Sequence, residues 1–169
     1  MQARALTLTL TALAAFVLPA CSRESTRPLD PGAPSPTRVV AEGVAYDAEL
    51  RVLESYPARL QAQVRLTNTS DEPVEIRFPD GCVVLLRAYR SEDRSGQPAW
   101  DPMRGSLFCT MILVEFTLSP GESREFQATA SAPEILGDSL PAGRYFFTAL
   151  LRPNGRAVEV PAGQADLQR

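Results

Sequence analysis

Cysteine is the residue type with which this chain can do chemistry, and it has three: Cys21, Cys82 and Cys109. There is no His, and every one of the 17 basic residues is Arg. Without an imidazole, neither Ser-His-Asp hydrolysis nor a His-activated thiol is available; without Lys, Ser-Lys and Schiff-base chemistry go too. Two cysteines without His are a poor metal set. Paired carboxylates remain, as in glycosidases, but the acids are spread over polar strand faces and turns, the ordinary solvated pattern. Asp71-Glu72, Glu92-Asp93 and Asp101 offer oxygens to Ca²⁺, yet with no EF-hand-like spacing. The sequence therefore predicts a non-enzyme with neither metal nor cofactor, a carboxylate-based hydrolase being the distant alternative.

Cys21 ends an N-terminal segment built for export. Arg4 supplies a positive start, Ala5 to Leu18 is apolar and uncharged, and Leu18-Pro19-Ala20 leads into the cysteine. The apolar run falls short of the roughly 20 residues of a bilayer span. The segment resembles a bacterial lipoprotein signal: Leu18 and Ala20 fit the residues before the acylated cysteine, and Pro19 departs from them. An ordinary cleaved signal is the alternative, to which Leu18 is a poor fit. The resemblance implies residues 1–20 as signal peptide, Cys21 as the lipid attachment that holds the protein to a membrane, and, through Ser22, sorting to the outer membrane of the cell envelope. Residues 21–38 carry Pro28, Pro31, Pro34 and Pro36 among polar residues. They read as an extended tether, spanning roughly 50 Å in polyproline conformation. The folded domain is then 39–169.

Lipidation of Cys21 leaves an even pair. Outside the cytoplasm Cys82 and Cys109 are expected to oxidise to a disulfide rather than to serve as metal ligands or a reactive thiol. Taking Arg4 from the 17 basic residues leaves 16 against 20 acids, a net charge of −4 after export. Arg and acids are interspersed, so there is no basic stripe for nucleic acid.

From Val39 onward the hydrophobic period is two. Leu60, Ala62, Val64 and Leu66 alternate with polar residues, as do Val74, Ile76 and Phe78, then Phe126, Ala128 and Ala130, then Tyr145, Phe147, Ala149 and Leu151. Cys82–Tyr89 and Leu107–Leu118 are more continuously apolar and are expected to run centrally. Turn residues separate the runs, among them Asn68-Thr69-Ser70-Asp71-Glu72-Pro73, Pro79-Asp80-Gly81 and Ser119-Pro120-Gly121. Asn68-Thr69-Ser70 also fits a glycosylation sequon, but it makes sense as a turn. One helical turn fits within Ala132 to Leu140. The pattern predicts an all-β fold, an Ig-like antiparallel β-sandwich of about seven to nine strands. Leu140-Pro141-Ala142-Gly143-Arg144-Tyr145 reads either as a tyrosine corner or as a turn followed by a core Tyr.

Leu66-Thr67-Asn68-Thr69-Ser70 followed by Pro73-Val74-Glu75-Ile76-Arg77-Phe78, Gly96 shortly before Trp100, Leu118-Ser119-Pro120-Gly121-Glu122, and Gly143-Arg144-Tyr145 together resemble the BsuPI-type intracellular proteinase inhibitors. The likeness spans roughly Val44 to Arg156. It implies an Ig-like sandwich and a protein partner, a proteinase. The export signal and the Cys82–Cys109 pair are additional to that pattern. The polar stretch from Arg90 to Arg104 is the candidate protein-binding loop, with Arg90, Arg94, Trp100 and Arg104 as contact residues, since Trp and Arg dominate interface energetics. Trp100 is alternatively a lid on the core edge. A structural or assembly role in an envelope complex is the competing function.

Overall fold

The computed structural model describes residues 37–105 and 107–169. Cys21, the signal and most of the tether lie outside the described residues. Among the described residues there are nine strands: β1 (Thr37–Ala41), β2 (Val44–Ser55), β3 (Ala58–Asn68), β4 (Val74–Phe78), β5 (Leu85–Tyr89), β6 (Val114–Leu118), β7 (Ser123–Ser131), β8 (Gly143–Leu151) and β9 (Val158–Leu167), with a short helix α1 (Ala132–Leu136) between β7 and β8. All pairings are antiparallel. One sheet has the order β1-β2-β3-β7, another β5-β8-β9, and β4 pairs with β6. This is a β-sandwich with one continuous core.

Alternation dictates the packing. Along β3, Ala58, Leu60, Ala62, Val64, Leu66 and Asn68 are buried, while the residues between them are exposed or half-buried. The inward row meets Tyr145, Phe147, Ala149 and Leu151 of β8 and Val160 of β9 in the core. Each large aliphatic or aromatic side chain so buried contributes about 1.5–3 kcal/mol. β8 is the centre of its sheet, and Thr148 and Leu150 on its other face are buried as well. The expected helical turn is α1. Ser131 caps it in a reciprocal pair with Glu134, each side chain accepting from the other's backbone N–H at 3.3 Å. The Tyr145 hydroxyl donates to the Pro141 carbonyl at 2.7 Å, so this segment is a tyrosine corner.

Two expectations about central strands need correction. Cys82–Tyr89 is largely buried, but β5 lies at the edge of its sheet. Of the run Leu107–Leu118, only Val114–Leu118 is a strand; 107–113 is largely exposed. Continuous apolarity marks a strand covered on both faces only where something is placed to cover it, and Cys109 is tied instead to a turn.

The two motif-bearing turns lock each other. Asn68 ends β3 at 1% exposure. Its amide nitrogen donates to the carbonyls of Glu72 at 2.7 Å and Leu118 at 2.9 Å. Its side-chain oxygen accepts from the backbone N–H of Ser70 at 2.9 Å and from the Ser70 hydroxyl at 2.7 Å. The Asn68 backbone N–H donates to the Glu122 carbonyl and its carbonyl accepts from Gly121 N–H. Gly121 stands at φ 76° in the β6–β7 turn, a left-handed conformation that suits glycine, while Glu122 reaches back to accept from Ser119 N–H at 2.8 Å.

Replacing Asn68 with Ala leaves the buried Leu118 carbonyl without its side-chain donor and the Ser70 N–H without its acceptor, while the Ser70 hydroxyl and the Glu72 carbonyl keep each other at 2.9 Å. Buried unpaired groups cost about 1–3 kcal/mol each, so Asn68→Ala is expected to destabilise the domain by about 2–4 kcal/mol in urea unfolding. A loss below about 1 kcal/mol would show the turn lock to be incidental.

Candidate protein-binding site

The connection from β5 to β6 has two parts with opposite character. The first is committed inward. Trp100 is half-buried against the core and its backbone forms a two-hydrogen-bond bridge with Ala88 of β5. The next residue, Asp101, is buried and anchors the segment. Its carboxylate pairs with Arg87 at 3.0 Å and caps the 3-10 turn Pro102–Arg104 by accepting from Met103 N–H. Arg87 also reaches Glu159 of β9 at 2.6 Å. Burial, then the Glu159 charge, pushes the neighbouring Tyr89 phenol above its ordinary range. Arg94 donates to the carbonyls of Phe147, Glu92 and Gly163. Arg90 lies over the Tyr145 ring, 4.7 Å from its centroid. Hydrogen bonds from Ser91 and then Ser95 hold the Asp93 carboxyl below its usual range.

The sequence-derived quartet therefore divides. Arg90 and Arg94 turn onto β8 and β9. Trp100 and Arg104 line a surface depression together with Leu107, Phe108 and Glu134. Trp100 fits the reading of a core-edge lid in its packing, while its rim still faces this depression.

The second part faces outward. Phe108 is 89%, Met111 91% and Ile112 63% exposed, with Leu107 and Leu113 beside them. Large apolar side chains clustered at such exposure mark an interaction site. Sequence reasoning missed them because an unbroken apolar run reads as a buried strand. The available signal was Cys82, which directly follows Pro79-Asp80-Gly81. A cysteine bonded there must lie at the level of that turn, outside the sheet.

The segment is nevertheless held. Cys82 and Cys109 form the expected disulfide, with Cα atoms 5.5 Å apart. The Gly81 N–H donates to the Thr110 carbonyl at 2.9 Å. A Cβ on Gly81 would come within 2.1 Å of the Thr110 hydroxyl oxygen, so glycine permits this close approach. Asp80 accepts from Cys82 N–H at 2.9 Å and pairs with Arg152 of the β8–β9 connection at 3.2 Å. A second depression runs between Asp80, Arg152, Met103, Phe108 and Met111. The apolar segment thus has a polar rim of Asp80, Arg104, Glu134 and Arg152. Asp80 approaches both cysteine sulfurs within 4.8 Å, but sulfurs bonded to each other offer a metal no thiolate.

The chain matches the family model "BsuPI: Intracellular proteinase inhibitor" over residues 48–155. It belongs to this family. The matched span holds the Asn68 turn lock, the tyrosine corner, the disulfide and the exposed segment. No curated protein matches the chain. Among solved structures it is similar to a β-glucosidase of Erythrobacter marinus at 16% identity and TM-score 0.40, over 74% of this chain and 15% of that one. It is similar to the ApaA protein of Bordetella pertussis at 15% and 0.38, over 80% and 99%. A β-glucosidase of Kluyveromyces marxianus follows at 12% and 0.35, over 73% and 14%. At these scores the likenesses say nothing about activity, and the chain spans only a small part of either glucosidase.

The disulfide closes a separation of 27 residues. By loop entropy its loss is expected to cost about 3–4 kcal/mol. Cys82→Ser with Cys109→Ser should lower the urea midpoint accordingly, and the native chain should show no titratable thiol at these two positions. Two free thiols in protein taken from its native compartment would overturn the assignment.

Proposed function

We propose that this chain is a non-catalytic, lipid-anchored envelope protein whose sandwich binds and inhibits an extracytoplasmic proteinase. Family membership supports the inhibitor reading, and the observation that carries the mode of action is the disulfide-held apolar segment at residues 107–113. Burying Phe108, Met111 and Ile112 against a partner would supply about 2 kcal/mol each. Association costs about 4–15 kcal/mol in lost freedom. The segment alone therefore barely offsets the cost, and a useful affinity needs the flanking depressions and their polar rim as well.

One substitution tests the inhibitor reading. Phe108→Asp places a charge on a side chain that touches little of its own domain, so the melting temperature should hold. Inhibition measured across a panel of secreted proteinases should weaken at least thirtyfold, the loss of an anchor worth about 2 kcal/mol. Undiminished inhibition would remove the segment from the interface.

The anchor reading rests on Leu18-Pro19-Ala20-Cys21 and on Ser22 for outer-membrane sorting. Cys21→Ser is expected to abolish labelling with a radioactive fatty acid and to shift the protein from the membrane fraction. Unchanged membrane partition would sink the lipid anchor while leaving the inhibitor reading intact.

A further inference from the structure

Between its fixed points the exposed segment is very short. Cys109 is bonded to Cys82 and the Thr110 carbonyl to Gly81 N–H. On the other side, Val114 is already in β6, paired with Phe78 of β4. Only Met111, Ile112 and Leu113 lie between. From Leu107 to Leu113 the backbone makes no turn or bend, and no residue there has a positive φ. The chain runs without a turn, is clamped at Cys109 and Thr110 and again at the start of β6, and turns its large apolar side chains to solvent. A proteinase cleft receives substrates in extended form, and a segment already held so binds without an ordering cost.

We propose that Met111 is the side chain this segment delivers into the primary specificity pocket of a serine proteinase with an apolar pocket, the Met111–Ile112 peptide bond lying at the catalytic centre. This rests on the inhibitor reading and specifies it. Met111 is the most exposed of the large apolar side chains and follows the last clamped carbonyl. Its unbranched thioether fits a deep apolar slot. Phe108 precedes the disulfide and lines both flanking depressions, a place for a second anchor beside the pocket rather than within it. Ile112 is branched at Cβ and belongs to the leaving side.

The clamps explain why such a chain inhibits rather than being consumed. The serine hydroxyl adds to the Met111 carbonyl carbon as its proton passes to the enzyme's imidazole. The C–N bond to Ile112 breaks when that proton is delivered to the Ile112 nitrogen. The new amine is two residues from Val114 in β6, and the acyl side is fixed by Cys109 and Thr110. The amine cannot leave; it re-attacks the acyl carbon, the serine recovers its proton and the peptide bond returns.

The test uses the full chain, purified in detergent, against chymotrypsin as the apolar-pocket enzyme and trypsin as the enzyme with an aspartate in its pocket. The wild type is expected to inhibit chymotrypsin and to spare trypsin. Met111→Arg should lose at least about a hundredfold on chymotrypsin and gain inhibition of trypsin, at unchanged melting temperature. Met111→Leu should stay within about tenfold of wild type on chymotrypsin. If Met111→Arg inhibits chymotrypsin as well as the wild type does, or loses it without gaining trypsin, Met111 does not fill the pocket and this assignment falls alone. If the wild type inhibits neither enzyme nor any member of the secreted panel, the inhibitor reading falls with it.

Discussion

Asn68 is one of the few polar residues in the core, and every hydrogen-bonding group it has is used. Its side chain offers two donors and one oxygen with two lone pairs, and all four are engaged. Its backbone N–H and carbonyl bind the opposite turn. The four-stranded sheet ends here, and the β4–β6 pair begins with Val74 opposite Leu118. A single amide thus sets where one sheet stops and the other starts. In a low-dielectric core such a network is strong when complete and costly when broken. No other side chain of this size offers two donors and an acceptor in one plane. Asp would bring a buried charge and no donor; Leu would leave the buried Leu118 carbonyl bare. The same geometry denies the sequon any meaning in the folded protein, since the nitrogen it would modify is enclosed.

That constraint propagates to the exposed segment. With Leu118 fixed by Asn68, β6 has a defined register against β4, and its first residue, Val114, is fixed opposite Phe78. Phe78 is itself buried, its ring meeting Phe116 and Phe126 at centroid distances of 6.4 and 5.9 Å. The turn following β4 carries Asp80, Gly81 and Cys82. One short strand pair therefore positions both clamps of the segment, the disulfide from the β4 side and the strand entry from the β6 side. A segment of large apolar residues would otherwise collapse onto the nearest core edge. Here the clamps leave it too little length to do so.

Much of this was legible in the sequence. Period-two alternation placed the inward faces of β3, β4, β7 and β8, because alternate side chains leave a strand on opposite sides; in β8 the second face is buried as well along Thr148 and Leu150. The pair of cysteines left once Cys21 is set aside pointed to the disulfide, whereas Pro-Ala-Gly-Arg-Tyr left a tyrosine corner and a plain turn both open until the Tyr145 hydroxyl bond decided between them. The exposed segment was illegible for a physical reason. Hydrophobicity reports what a side chain prefers, whereas its exposure is set by covalent and hydrogen-bonded tethers many residues away. Leu107 to Leu113 carries the signature of a covered strand, and only the partner of Cys109 decides otherwise. Trp100 posed the converse difficulty. A lone Trp in a polar loop reads either as an anchor or as a lid on the core edge, and its backbone bridge to Ala88 and the Asp101–Arg87 pair, neither visible in a pattern of residue types, draw it onto the sheet.

The contrast between the two halves of this connection bears on recognition. Arg90, Arg94 and Trp100 spend their polar and apolar contacts within the domain, so a partner would have to compete with existing interactions to use them. Phe108, Met111 and Ile112 have no such internal claims, and each apolar contact they make is net gain. Rigidity matters as much as availability. A mobile apolar loop loses rotamer and backbone freedom on binding, about 1–2 kcal/mol for each residue's backbone. A segment clamped by a covalent bond, a backbone hydrogen bond and a strand has lost most of that freedom on folding. The inward-facing half then serves the outward-facing one: Trp100 and Asp101 fix the floor and rim of the depression beside Phe108, and binding energy is concentrated where the chain is both exposed and ordered.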